Sequence, residues 1–489
     1  MNPDLIDDVY VADRWRPAHS GAIDTVVNPT TEETIARVVR GDRSDVDDAV
    51  AAAAAASTAW ARTPVTARCA LVVRLAEEIE FRAAAFTTLI TTENGTPIGE
   101  SAHAAAQAAA HLRHCAEIAP ALFAEDVRAN PMAPGYARVE RRPLGVAGLI
   151  TPWNFPLSLI AVKLGPALVA GCTVVIKPAP ETPLAARLLM TAVEASGFPP
   201  GVVNLVTGDG ATGQALVENP GVQKISFTGS TAVGRAIGAA CGQLLRPVTL
   251  ELGGKSGAIV LDDTDSDVLA ANILKVAMRN TGQTCKACTR LIVPNSRRKE
   301  LVDLVCDVIA AAPLGDPMRP DTFFGPLVSA RQRERVLGYL GVGRHEGARV
   351  RIGGGRPSAL QTGWFVEPTV LDDVEPGMRI AQEEIFGPVL VVLGYDDIDE
   401  AVAIANGTPY GLGGAVFGGD ENRALAVAGR METGTIGINH YGSNAAAPFC
   451  GHKDSGLGVE FGPEGIAQFL SLTSIHHLPA PRPSEGGKA

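Results

Sequence analysis

The sequence predicts an α/β fold built on parallel sheets with helices on both faces, and three observations predict it. Between about residues 143 and 254, short β-branched runs alternate with helix-period segments at the spacing of strand–helix–strand units. The alternation returns, more weakly, from about 254 to 440. Ahead of both, residues 45–125 are alanine-rich, with apolar positions recurring at helical period.

The helical region opens with DVDDAVAAAAAASTAWA, whose Trp60 and flanking charges suit a packed surface helix rather than low complexity, and continues through TARCALVVRLAEEIEFRAAAFTTLIT. Residues 127–143, VRANPMAPGYARVERRP, break the pattern and predict an irregular or hairpin excursion. The strands GVAGLIT, TVVIKP, VVNLVTG, KISFTGS and PVTLELGG follow, separated by SLIAVKLGPALVAG, TPLAARLLMTAVEASG, ATGQALVEN and TAVGRAIGAACG. Open sheets of this kind bind ligands beyond the carboxyl ends of their strands. In the second half LIVP, TVLDDV, VLVVLGY, GGAVFG and GTIGINH are strand candidates, with helical segments between them. The Pro- and Gly-rich tail HHLPAPRPSEGGKA is expected to fray.

At 489 residues the chain has room for roughly three domains. With 46% hydrophobic and 19% charged residues it is globular in composition. A net charge of −11 and the lack of a dense Lys/Arg run argue against a nucleic-acid partner. The acidic N-terminus does not resemble a secretory signal. The uncharged run 143–162 holds three prolines, two glycines and Asn154, which argues against a membrane span. Eight scattered cysteines suit a reducing compartment, so a cytoplasmic protein is expected.

The chemistry centres on NTGQTCKACTR, residues 280–290. Cys285 and Cys288 supply only two of the four ligands of a structural zinc site, and neither a second CxxC nor an HxxxH accompanies them, so no metal is expected. A redox dithiol should open a helix early in a small domain. Taken alone, the pair reads as two packed thiols. Other features shift that balance. TPWNFP ends a predicted strand with Asn154 between aromatics, either a turn residue or an amide aimed at an oxyanion. LELGGKS ends another with Glu251, whose burial would raise its pKa as a general base requires; an exposed strand end is the alternative. FTGSTAVG follows a strand and opens a helix, with Gly229 for the turn and Ser230 as cap, where a phosphate could sit. Lys177 could hydrogen-bond a ribose or be a plain surface lysine.

Together, TPWNFPL, KPAPETP, FTGST, ELGGKS, NTGQTC, EEIFGPV and PFCGHKDSGLG, in this order, resemble the motifs of the aldehyde dehydrogenase superfamily, and VVNPTTEETIARV resembles its N-terminal region. The resemblance implies a Rossmann-like cofactor-binding domain (1–126 and 144–253), an α/β catalytic domain (254–454), and a small β oligomerisation element (127–143 with 455–489) giving homodimers or homotetramers. It implies that Cys285 is the nucleophile, Glu251 the general base and Asn154 the oxyanion donor. Cofactor contacts would come from Trp153, Lys177, Pro180, Gly229, Ser230, Glu384 and Phe386. The implied reaction oxidises an aldehyde to its acid through a thiohemiacetal and a thioester on Cys285.

Departures from the family pattern carry information. Many NAD-preferring members place glutamate where this chain has Pro180, with Glu181 next to it; NAD is expected and NADP left open. Cys450 stands where glycine is usual and Val459 where arginine is common. Val162 replaces the tryptophan of betaine-aldehyde-type enzymes and the arginine of succinate-semialdehyde-type ones. Phe155, Leu159, Val162 and Phe449 therefore suggest an apolar tunnel for an aliphatic or aromatic aldehyde, with Lys286 the exception if it faces that tunnel. A semialdehyde dehydrogenase, a CoA-acylating relative and a non-catalytic relative are the alternatives. Cys288 is read as a packing residue or as a thiol able to protect Cys285.

Overall fold

A computed structural model describes residues 5–478. Its first large sheet has the spatial order Gly456–Leu457, Val248–Glu251, Lys224–Thr228, Val146–Ile150, Thr173–Lys177, Val203–Leu205, Asp8–Tyr10 and Trp15–Pro17. The five strands from Val248–Glu251 to Val203–Leu205 are mutually parallel and almost wholly buried. Helices covering both faces explain why they read as near-continuous apolar runs. The intervening helices are Pro156–Ala170, Pro183–Ser196, Gly210–Glu218 and Thr231–Gln243. The first two begin with proline at the first helical position and end at glycines with φ of +96° (Gly171) and +72° (Gly197).

The second large sheet runs Arg349–Ile352, Thr369–Asp372, Val389–Tyr395, Arg290–Pro294, Gly257–Val260, Gly413–Phe417 and Thr435–Ile438, parallel except at the first pair. One of its interior strands, Gly257–Val260, is not among the strands legible in the sequence. Four residues are too few to show a period. The helices Ser266–Ala277 and Ile398–Asn406 and the N-terminal strands, among them Ile23–Val27 and Thr34–Val39, also went unread.

The excursion at 127–143 is a hairpin, Val127–Ala129 with Tyr136–Pro143, joined by Leu470–His477. His476 and His477, expected to fray, pair instead with Ala137 and Tyr136; the same expectation for residues 479–489 falls outside the described residues. The predicted helical stretch 45–125 is also broken. A helix ends at Asn94, Gly95 takes φ +79°, and Thr96 and Pro97 turn the chain before Ile98–Ser101 and Ala104–Leu122.

Candidate active site

Among the parallel strands of the first sheet the chain starts at Val146–Ile150, builds outward through Thr173–Lys177 and Val203–Leu205, then crosses back to Lys224–Thr228. Loops leaving the two strands on either side of that reversal diverge and leave a crevice. A cavity of about 440 Å³ opens there. Trp153 and Asn154 reach it from the loop after Ile150, and Gly229 and Ser230 from the loop after Thr228. Cys285, Glu384 and Phe386 complete the set of expected residues that line it. Arg331, Gln332 and Arg335, on the helix Ala330–His345, line it too and carried no sequence signal.

Other expected residues lie close by but outside this lining. Glu251 ends its strand one residue before Leu252 and Gly253, which line the cavity. Lys177 ends the strand paired with Val146–Ile150, and Pro180 follows it. Phe155 borders a smaller gap with Arg279, whose guanidinium lies 5.2 Å from its ring centre. Val162 is buried in a further gap beside Lys163 and Glu460. Leu159 and Phe449 are half-buried, and Phe449 packs edge-on against Phe461.

The loop carrying Cys285 is strained. Asn280 and Thr281 have φ of +51° and +55°, a left-handed conformation that costs a non-glycine residue roughly 1–2 kcal/mol. Gly282 follows at φ +72°, and a Cβ there would meet the Gly387 carbonyl oxygen at 2.1 Å. Buried hydrogen bonds hold this geometry. The Asn280 N–H donates to Glu100 Oε2 (3.1 Å), and Thr96 Oγ1 donates to Asn280 Oδ1 (3.0 Å). Asn280 Nδ2 and Asn94 Nδ2 both donate to the Asn154 carbonyl, at 2.9 and 3.1 Å. The Asn154 amide in turn donates to the Gln283 carbonyl at 3.0 Å. Asn94, Thr96, Glu100, Asn280 and Gln283 were missed in the sequence. The one available signal was the Gly-Thr-Pro turn at 95–97, which should have interrupted the helix reading.

Burial dominates the electrostatics. It pushes the Cys285 thiol up to about 12, helped by the negative charges of Glu384 and Glu251 and opposed by Lys286. The Glu251 carboxyl is raised well above the usual carboxylate range by burial and then by Glu460, with Lys163 opposing. Neither Glu251 oxygen has a hydrogen-bond partner. Just behind it, Lys163 Nζ and Glu460 Oε1 form a buried ion pair. Cys288, by contrast, is fully buried in an apolar cluster with Met278, Leu291 and Val305, and all eight cysteines are free thiols.

The residues present fit a dinucleotide. Thr228 Oγ1 lines the cavity buried and without a partner. The helix Thr231–Gln243 presents its N-terminus there, capped by Ser230, and such ends favour phosphate. At Gly229 a Cβ would strike the Phe227 ring at 2.4 Å, so the backbone there stays bare. Glu384 accepts from the Gly254 N–H at 3.1 Å and is raised to about 7, first by burial. Phe386 is held at φ +63° edge-on to Trp153, with Gln332 Nε2 donating to its carbonyl at 2.7 Å. Lys177, lowered to about 8 by burial, has the carboxylates of Glu181, Asp209 and Asp24 around it.

Comparison with known proteins matches residues 15–475 to the model of the aldehyde dehydrogenase family. The chain is 44% identical to a geranial dehydrogenase of Castellaniella defragrans, covering 96% of this chain and 98% of that one. It is 40% identical to a 3-succinoylsemialdehyde-pyridine dehydrogenase of a Pseudomonas species, covering 95% and 97%. Among solved structures, a cysteine-to-alanine mutant of aldehyde dehydrogenase C from Pseudomonas syringae, complexed with NAD+ and octanal, superposes with a TM-score of 0.93 at 40% identity over 96% of both chains. The divergent loops, the strained cysteine turn and the dinucleotide cradle thus meet in a chain that belongs to the aldehyde dehydrogenase family.

Proposed function

We propose that Cys285 is the nucleophile, Asn154 the oxyanion donor and Glu251 the general base in NAD-dependent oxidation of an aldehyde to its carboxylic acid. The observation that carries this reading is the convergence of Cys285, Asn154, Glu384 and Phe386 on one cavity. The Cys285 thiolate adds to the aldehyde carbon, giving a thiohemiacetal alkoxide. Two donors suit that oxygen: the Asn154 amide, and the Cys285 N–H, which has no acceptor among the described residues. One such donor is typically worth about 3 kcal/mol. NAD, when bound, accepts the two electrons that leave the substrate as hydride. Cys285 then holds a thioester. Glu251, its oxygens unengaged, takes a proton from water so that the hydroxide releases the acid.

Ser230 and the helix behind it suit the pyrophosphate, and Lys177 and Glu384 the two riboses. We favour NAD over NADP because Glu181, Asp209 and Asp24 surround Lys177, where a 2′-phosphate would meet them. Phe155, Leu159, Val162 and Phe449 suit an apolar aliphatic or aromatic aldehyde, in keeping with geranial and octanal among the relatives. The three-stranded sheet of 127–143 and Leu470–His477 exposes Val127, Tyr136 and Leu472, which suits a homo-oligomer interface. The domain division read from the sequence, residues 1–126 with 144–253, 254–454, and 127–143 with 455–489, is retained on the same footing. No helix among the described residues is long and apolar enough to cross a membrane. We retain a cytoplasmic location on the strength of the free thiols.

The test is NADH formation, followed by ultraviolet absorbance, with a panel of aldehydes and with or without CoA. CoA-independent NADH formation is expected. A strict CoA requirement would move the protein to the acylating relatives and remove Glu251 from its role.

A further inference from the structure

The helix Pro183–Ser196 begins where the loop carrying Lys177, Pro180 and Glu181 ends. A helix start leaves N–H groups to be satisfied, and the residue just before it commonly does so. Thr182 stands at that position, yet its side chain makes no capping bond and its hydroxyl is buried without a partner. The cap comes instead from far away in the chain. Glu93 Oε2 accepts from the Leu184 N–H at 2.9 Å, and Glu93 Oε1 from the Ala185 N–H at 3.0 Å. Glu93 is 1% exposed. Among the described residues those two N–H groups are its only hydrogen-bond partners, and no cation pairs with it. Burial raises its carboxyl to about 8, with the two donors opposing. A carboxyl is expensive to bury for capping alone when a local hydroxyl is already on offer.

The next residue completes a connection. Asn94 Nδ2 donates to the Asn154 carbonyl at 3.1 Å and to Thr96 Oγ1 at 3.0 Å. Two consecutive side chains thus hold, on one side, the helix that follows the loop 177–182 and, on the other, the backbone of Asn154. That loop reaches the cavity: Glu181 Oε1 lies 3.6 Å from Arg331 Nη2, and Arg331 lines the cavity with Asn154 and Cys285. Gly95 follows at φ +79°, and a Cβ there would meet Pro326 at 2.7 Å and Pro29 at 2.9 Å, so the turn is wedged in place. We propose that Glu93 is a positioning residue for the reaction, which with Asn94 sets the spacing between the loop 177–182 and Asn154 and so keeps the dinucleotide in register with the aldehyde. This rests on the reading of that loop as dinucleotide-binding and of Asn154 as oxyanion donor. Hydride passes only over a short, aligned approach. A shift of the loop against Asn154 therefore slows the chemistry as well as weakening the hold on the dinucleotide.

The experiment uses the best aldehyde of the panel above and measures two quantities. One is the Kd of NAD, by quenching of tryptophan fluorescence, since Trp153 lines the cavity. The other is the rate of NADH formation in a single turnover, with enzyme in excess and NAD saturating. Glu93→Gln keeps the shape of the side chain, but its amide accepts from only one of the two N–H groups. Its Kd for NAD should rise roughly tenfold and its single-turnover rate fall roughly tenfold. Asn94→Ala should slow the single turnover and leave the Kd largely unchanged. Thr182→Val should match the wild type in both, because that hydroxyl caps nothing. Three results overturn the proposal: a wild-type single-turnover rate in Glu93→Gln, a wild-type rate in Asn94→Ala, or a Thr182→Val that reproduces the losses of Glu93→Gln. A residue that only supports the fold lowers the melting temperature and leaves the saturated rate per folded molecule unchanged. Asn94→Ala keeps the test decisive should Glu93→Gln fold poorly. Failure of the wild type to form NADH with any aldehyde would strike the assignment of the catalytic site itself, whereas the three results above leave that assignment standing.

Discussion

At the scale of single residues, burial favours the protonated forms of the two groups proposed to react. Burial raises both the Cys285 thiol and the Glu251 carboxyl, and the proposed reaction uses both in their deprotonated forms. The sign follows: lowering the pH depletes the working forms and raising it populates them. We expect kcat/KM to climb from neutral towards alkaline pH, and a profile that falls over that range would contradict the assignment. Cys285→Ala should lose aldehyde oxidation and keep its thermal stabilisation by NAD, because the dinucleotide cradle is left intact. Glu251→Gln should give a burst of NADH and then stall at the thioester in rapid-mixing experiments. The substitution is nearly isosteric and breaks no hydrogen bond made by the carboxyl, so folding should be little affected. Full steady-state turnover would remove Glu251 from the base role. Glu181→Ala should raise kcat/KM with NADP relative to NAD, because it removes a carboxylate from beside Lys177.

At the scale of elements, the placement of Cys285 depends on a turn that holds the β-branched Thr281 left-handed, against its local propensity. Asn280 is held left-handed by partners from the 94–100 segment, and Thr281 by Gly325, whose N–H donates to Thr281 Oγ1 and whose carbonyl accepts from it. Asn280→Ala removes the amide bond to the Asn154 carbonyl and leaves the strain unopposed. It should cost about 1–3 kcal/mol of stability and lower kcat on the order of a hundredfold by shifting Asn154. Calorimetry and steady-state kinetics would check both, and a variant with wild-type kcat would show the turn to be structural alone. The parallel strands of the first sheet were legible because each is a buried β-branched run ended by a turn signal. Gly257–Val260 was not, although it is an interior strand of the second sheet. Its place is decided by pairing with Arg290–Pro294 and Gly413–Phe417, partners far away in the chain.

At the scale of the whole molecule, the late chain closes over the site. Gly456–Leu457 adds a strand beside Val248–Glu251, and Glu460 reaches back to Lys163 behind the Glu251 carboxyl. Glu460→Gln would leave Lys163 buried and uncompensated. A loss of about 3–5 kcal/mol is expected in denaturant melts, and a neutral result would show that the pair contributes little. Leu472→Asp, on the exposed face of the three-stranded sheet of 127–143 and Leu470–His477, should lower the oligomeric state seen by light scattering; an unchanged mass would exclude that face as the interface. By itself the sequence determined the α/β class, the strands whose ends carry the motifs, and which cysteine stands in the nucleophile motif. These are local matters: runs of residue types and motif order survive in one dimension. Only the tertiary structure decided that Asn94 and Asn280 brace Asn154, that Thr96 and Glu100 hold Asn280, that Cys288 is sealed in a core away from the cavity, and that Lys286 donates to Ser443 over the Tyr441 ring. Each depends on which distant segments are brought within hydrogen-bonding or Coulombic reach, and a one-dimensional pattern carries no record of those distances.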